Sequence, residues 1–125
     1  MRLLLCVLPG TFTICRLAPD VDLPVWVNSG SFCSITRTSE ELSIVVASDH
    51  VPAGVQAEGV WCALKVAGPI PLSSVGILAS IAAPLACADI SLFVVSTFDT
   101  DYVLVRAEQL ESAVTALSGA GHGVT

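Results

Sequence analysis

Residues 92–106, LFVVSTFDTDYVLVR, read as two apolar strands about a short polar turn at Asp99-Thr100-Asp101. The same pattern occurs sixty positions earlier, in FCSITRTSEELSIVV from Phe32. Aligned without gaps, Phe32 falls on Leu92, Ile35 on Val95, Glu41 on Asp101, Leu42 on Tyr102 and Ile44 on Leu104. In a chain of 125 residues, a hairpin that recurs at half the length predicts two copies of one small unit.

Composition bounds what those copies can be. The chain is 54% hydrophobic and 13% charged, about half the usual ~25% charged share. A surface so poor in charge implies that something covers it, either the other half of the chain or a second copy, so a homodimer is expected. Net charge is −6, and the five Lys and Arg are scattered singly. Nucleic acid demands clustered basic side chains that displace counterions from phosphates, and an anionic membrane surface demands much the same; neither is an expected partner. The opening MRLLLCVLPG has an apolar run only over residues 3–8, shorter than the core of roughly 7–15 residues typical of a cleaved signal. Residues 75–95 carry Asp89 as their only charge, but Pro84, Asp89 and a change from helical to strand-like composition break the run, against a membrane span. Five cysteines lie inside apolar runs with no CxxC pair, the pattern of buried free thiols in a reducing cytoplasm.

Along the chain, residues 3–8 and 11–17 read as strands that pair or form one bent edge strand about Pro9-Gly10. Residues 20–30, with Pro24, Asn28 and Gly30, leave room for a short helical turn at most. The first hairpin spans 32–36 and 42–47, and residues 49–59 form a loop or one weak helical turn at the seam between halves. Residues 60–67 alternate as a strand that 68–71, Gly-Pro-Ile-Pro, stops. Ser73 or Ser74 can cap a helix running to about Ala88, with Val75, Leu78, Ala79, Ala82 and Leu85 as its apolar stripe. Ile77 and Ile81 make the opposite side apolar too, which predicts cover on both sides, and Pro84 predicts a kink. The second hairpin follows, then an amphipathic helix over 108–118 burying Leu110, Ala113, Val114 and Leu117, and a last short strand within 122–125. The order in the second half is β-α-β-β-α-β, a ferredoxin-like sandwich. In the first half, 16–19 match 66–69 at an offset of fifty, so ten residues are missing where the second half keeps its long helix. The expected fold is therefore α+β: a shortened ferredoxin-like module over residues 1–59 and a full one over 60–125.

The stretches GPIPLSSVGILASIAAPLA (residues 68–86), ISLFVVSTFDTDYVLVR (90–106) and FCSITRTSEELSIVV (32–46) resemble the ACT domain, and as a set they are similar to the small tandem-ACT proteins related to the CASTOR arginine sensors. That resemblance implies a cytoplasmic regulatory protein, not an enzyme, that binds an amino acid where ACT units meet. It places the effector against the loop after strand one and the facing strand, on Gly68, Ser74, Val75, Gly76, Ile77, Thr97, Phe98, Asp99 and Asp101. Those residue types suit the ligand. An amino acid needs an anion cradle beside an acceptor; amides at a helix start supply the first, and the two aspartates with nearby hydroxyls and carbonyls supply the second. Gly76 would let a ligand approach the backbone closely. A sensor of basic amino acids would place a further carboxylate on the helix one turn past the glycine, and this chain has Ala79 and Ser80 there, which leaves the ligand open.

Each of these residues also has an ordinary structural use. Gly76 permits close helix–sheet packing, Asp99 and Asp101 suit a hairpin turn, and Ser73 and Ser74 are caps. Such uses alone would make the protein a structural or oligomerisation module with no ligand. Asp49-His50 invites a catalytic reading, but no GxSxG, GxGxxG or P-loop accompanies it, and His50 and His122 have no partner at metal-ligand spacing. No metal and no cofactor is expected.

Overall fold

The computed structural model describes residues 1–28 and 30–125, with Asn28 defined in its backbone. In chain order the strands are β1 (Leu4–Val7), β2 (Phe12–Leu17), β3 (Ser34–Arg37), β4 (Leu42–Ala47), β5 (Ala57–Val66), β6 (Phe93–Ser96), β7 (Asp101–Arg106) and β8 (Gly123–Val124). The helices are α1 (Ile77–Cys87) and α2 (Leu110–Gly119), and 3-10 turns occupy Val25–Asn28, Ser48–His50 and Ala107–Gln109. The chain divides into two compact units, residues 10–61, and residues 1–9 together with 62–125; the division falls inside β5.

In the smaller unit the strands lie in the order β3-β4-β2-β5. Each of its two connections that would be a helix in a ferredoxin-like unit is a single 3-10 turn. Pro24 and the ten missing residues leave no length for more. The turn at Val25–Asn28 inserts Val27 into a small core with Cys15, Leu42, Ile44 and Val46. Strand β5 starts at Ala57, three residues before the expected start at Val60, and its register against β2 slips between Phe12↔Trp61 and Ile14↔Glu58. Gly59, at φ 64, supplies the left-handed residue that such a bulge requires.

The larger unit runs β5-α1-β6-β7-α2-β8, the expected β-α-β-β-α-β order, with strands arranged β6-β7-β5-β1-β8. The first strand of the chain therefore stands inside this sheet. β1 pairs antiparallel with β5 (Leu5↔Val66, Val7↔Leu64) and parallel with β8 (Leu4↔Gly123, Leu5↔Val124). The expected pairing of residues 3–8 with 11–17 does not form, since alternation gives Leu5 and Val7 a face that joins Leu64, Val66, Val103 and Val105 in the core.

Both helices pack on that face. α2 buries Ala113 and Leu117 as its pattern predicts, but α1 buries Ile81 with Leu85, and of the expected stripe Val75, Leu78 and Ala79 face outward. Val75 is 86% exposed and Leu78 is 37% exposed. Both sides of the helix are apolar, so periodicity could not choose between them, and within the chain only one of the two is covered. Nor do Ser73 and Ser74 cap the helix: its N-cap is Gly76 at φ 86, with no side-chain cap bond.

Pro84 lies within α1 and has no N–H to offer the carbonyl of Ser80 one turn back. His122 takes that carbonyl instead. Its Nε2 lies 2.9 Å from Ser80 O, while Leu3 N–H donates to Nδ1 at 3.0 Å. With Nδ1 accepting, the ring proton belongs on Nε2, and the imidazole, 5% exposed, fastens the start of β1 to the middle of α1.

The repeat is real, but its register differs from the ungapped alignment by one residue. In the first hairpin Arg37 pairs with Leu42 across a turn in which Thr38 N–H bonds Glu41 O at 2.9 Å and Glu41 N–H bonds Thr38 Oγ1 at 3.1 Å. In the second, Ser96 pairs with Asp101, Thr97 N–H bonds Thr100 O at 2.8 Å, and Thr100 N–H bonds Thr97 Oγ1 at 3.2 Å. Thr38 thus matches Thr97, and Leu42 matches Asp101 rather than Tyr102. Buried Ile44, Val45 and Val46 then fall on buried Val103, Leu104 and Val105. A shift of one residue would turn every side chain to the other face.

Candidate functional site

The turn Thr97–Thr100 is held from two directions. Thr100, 5% exposed, donates through Oγ1 to Val66 O at 2.6 Å, and Ile70 N–H donates to Asp99 O at 2.7 Å. The second bond draws the loop after β5 against the hairpin. Gly68 is needed there, because a Cβ would come within 3.1 Å of Asp99 O and 3.2 Å of both Ile70 N and Thr100 Cβ.

A hollow of about 380 Å³ opens between residues 70–79 and the start of the hairpin. Five of the nine residues expected at the site line it: Ser74, Gly76, Ile77, Thr97 and Asp101. Gly68 and Asp99 instead line a second hollow of about 300 Å³, with Lys65, Thr97 and Tyr102. Val75 and Phe98 line neither and are 86% and 82% exposed. The hydroxyl-bearing Ser96 and Thr100, expected beside the aspartates, line it too, whereas the sequence reading missed Ile70, Pro71, Leu72, Leu78 and Ala79 as lining residues. The signal for Leu78 and Ala79 was the apolar stripe of α1 that has no place in the core; Ile70, Pro71 and Leu72 lie before the helix and carried none.

The anion cradle also moves. Ser74 N–H is taken by Pro71 O at 2.9 Å. The amides that open α1 are those of Ile77, Leu78 and Ala79, which have no carbonyl one turn back within the helix. All three residues line the larger hollow, and Asp101, half-buried, is the one ionisable side chain in its wall. The hollow therefore presents partial positive charge from a helix start and one carboxylate.

The same place in the smaller unit is built differently. Leu42, 0% exposed, stands where the larger unit has Asp101. Arg37 stands where it has Ser96, and its guanidinium donates to Pro19 O. In one copy the strand position is a buried leucine. The other keeps a small hydroxyl and a carboxylate around open space.

Among the described residues no cluster of three or more His, Cys, Asp or Glu side chains could hold a metal ion. Nor is any helix long and apolar enough to cross a membrane. Asp49 and His50, 3.8 Å apart on a 3-10 turn of the smaller unit, line neither hollow.

Residues 56–119 match the family model of the ACT domain. The chain belongs to the ACT family. A further model, of an N-terminal domain, matches residues 10–54 of this ACT protein. Among solved structures, the crystal structure of a protein from Agrobacterium tumefaciens is 41% identical, with a TM-score of 0.94, over 100% of this chain and 93% of that one. The human protein CASTOR3P is 32% identical over 70% of this chain and 61% of its own length. The human cytosolic arginine sensor for mTORC1 subunit 1 is 36% identical over 52% of this chain and 20% of its own. This ACT protein thus spans less than two thirds of the curated relatives it matches.

Proposed function

We propose that this ACT protein is a cytoplasmic regulatory module that binds a free amino acid in the larger hollow, assembles as a homodimer and performs no catalysis. The observation that carries the reading is the contrast between the two copies. Where the smaller unit has buried Leu42 and an Arg37 bonded to Pro19 O, the larger has Asp101, Ser96 and the first residues of α1 around a hollow. An amino acid offers the matching pair of groups, a carboxylate for the amides and an ammonium for Asp101. Kinship with an arginine sensor supports the class of ligand. Binding would act by shifting a conformational or assembly equilibrium toward the form that holds the ligand better.

A thermal-shift panel of the twenty amino acids tests this. At a hundred times its dissociation constant a ligand stabilises by about 2.7 kcal/mol, which moves Tm by several degrees. Silence across the panel at millimolar concentration would leave the other reading, an assembly module without a ligand. That reading draws on Leu72 and Val75, 72% and 86% exposed beside the hollow. Light scattering of a Leu72→Ser variant then reads whether those side chains join copies.

A further inference from the structure

We infer that the larger hollow selects an amino acid with a neutral aliphatic side chain and rejects arginine, lysine, aspartate and glutamate. The inference rests on the proposed binding function and concerns the charge inventory of the wall. Of the residues that line the hollow, Asp101 is the one ionisable group, and the only source of positive potential is the start of α1. A zwitterion uses both once. Its carboxylate takes the amides of Ile77, Leu78 and Ala79, and its ammonium takes the Asp101 carboxylate.

Nothing charged then remains for the side chain. A guanidinium or second ammonium would enter without a carboxylate to meet it, and a second carboxylate would sit beside Asp101 with no cation. Taking an ion out of water without a partner costs far more than a hydrophobic contact returns. What the wall does offer is apolar surface from Ile70, Leu72 and Leu78, with Ala79 leaving space on the helix. Leu72 and Leu78, 72% and 37% exposed, are the side chains that such a ligand would draw out of water.

Isothermal titration calorimetry with L-leucine, L-isoleucine, L-valine, L-arginine, L-lysine and L-glutamate decides the matter. The expected result is binding of the three aliphatic amino acids at least about tenfold tighter than any charged one. 4-Methylpentanoate and isoamylamine, which each lack one of the two polar groups, should give no measurable heat. Asp101→Asn, which is isosteric and keeps the β7 pairing, should abolish leucine binding while circular dichroism stays unchanged. Ala79→Glu adds a carboxylate to the wall and should bring arginine or lysine to parity with leucine or better. Arginine binding as tightly as leucine to the unaltered protein overturns the selectivity and leaves the amino-acid-binding function standing. Heat from none of these six overturns the selectivity, and only silence across all twenty amino acids overturns the binding function as well.

Discussion

The imidazole of His122 stands in for a backbone amide that Pro84 cannot supply, and a double-mutant cycle measures that substitution of roles. His122→Phe keeps a planar ring in a site that is 5% exposed but removes both polar partners, leaving Leu3 N–H and Ser80 C=O orphaned. Each orphaned group costs about 1–3 kcal/mol when water reaches it poorly, so the single variant should lose about 2–6 kcal/mol. Pro84→Ala restores an N–H one turn beyond Ser80, and the helix can then satisfy that carbonyl without His122. In the Pro84→Ala background, His122→Phe should therefore orphan only the Leu3 amide. Its cost should fall by about 1–2 kcal/mol, whatever Pro84→Ala does alone. Urea unfolding of the four proteins gives the coupling energy directly, and amide hydrogen exchange at Leu3 reports the other bond. A coupling within about 0.5 kcal/mol of zero would show that Ser80 O does not depend on His122, and would refute the reasoning.

Three further outcomes are expected. Gly76→Ala forces a side chain into φ 86 and should destabilise by about 1–2 kcal/mol in thermal unfolding, whereas Gly119→Ala, with nothing within 4 Å of the added Cβ, should stabilise by about 0.5–1 kcal/mol. Gly68→Ala should loosen the contact between the loop and Asp99 O, lowering Tm and weakening binding in the larger hollow together; a drop in Tm with affinity unchanged would separate the clamp from the site. Burial pushes the thiols of Cys15 and Cys62 up, so they form thiolate only at higher pH than an ordinary cysteine. Cys6, Cys33 and Cys87 are exposed; a thiol reagent at mildly alkaline pH should label these three in the native protein and reach Cys15 and Cys62 only after unfolding.

The ferredoxin-like order of the second half was legible because turn residues and a change of period mark each boundary there. The hairpin repeat was legible too, but its register was not. The unbroken apolar run Ile44-Val45-Val46 fits either of two faces, and only the pairing of Arg37 with Leu42 and of Ser96 with Asp101 decides. Helix α1 was visible as a helix and misread in orientation for a related reason, since Ile77-Ile81-Leu85 and Val75-Leu78-Ala82 are comparable stripes. The expectation that the cysteines are buried holds for Cys15 and Cys62 and fails for Cys6, Cys33 and Cys87. Around the hollow, Asp101 and Gly76 could be read from residue type, whereas Ile70 and Leu72 could not. They reach the site through the bond from Ile70 N–H to Asp99 O, which joins positions 29 apart in sequence. The role of His122 was invisible, because it depends on a proline in one helix and an amide at the other end of the chain.

The place of β1 sets an order of events. Residues 4–7 are made before either of their neighbours, β5 on one side and β8, ending at Val124, on the other. The larger unit therefore cannot close its sheet until residues 123–124 have been made, and until then β1 has no parallel partner to hold. A fragment cut at the bounds of the ACT match, residues 56–119, would lack both β1 and β8. It would leave one side of β5 as an open strand edge beside an uncovered core, and should aggregate rather than fold as a smaller version of the whole.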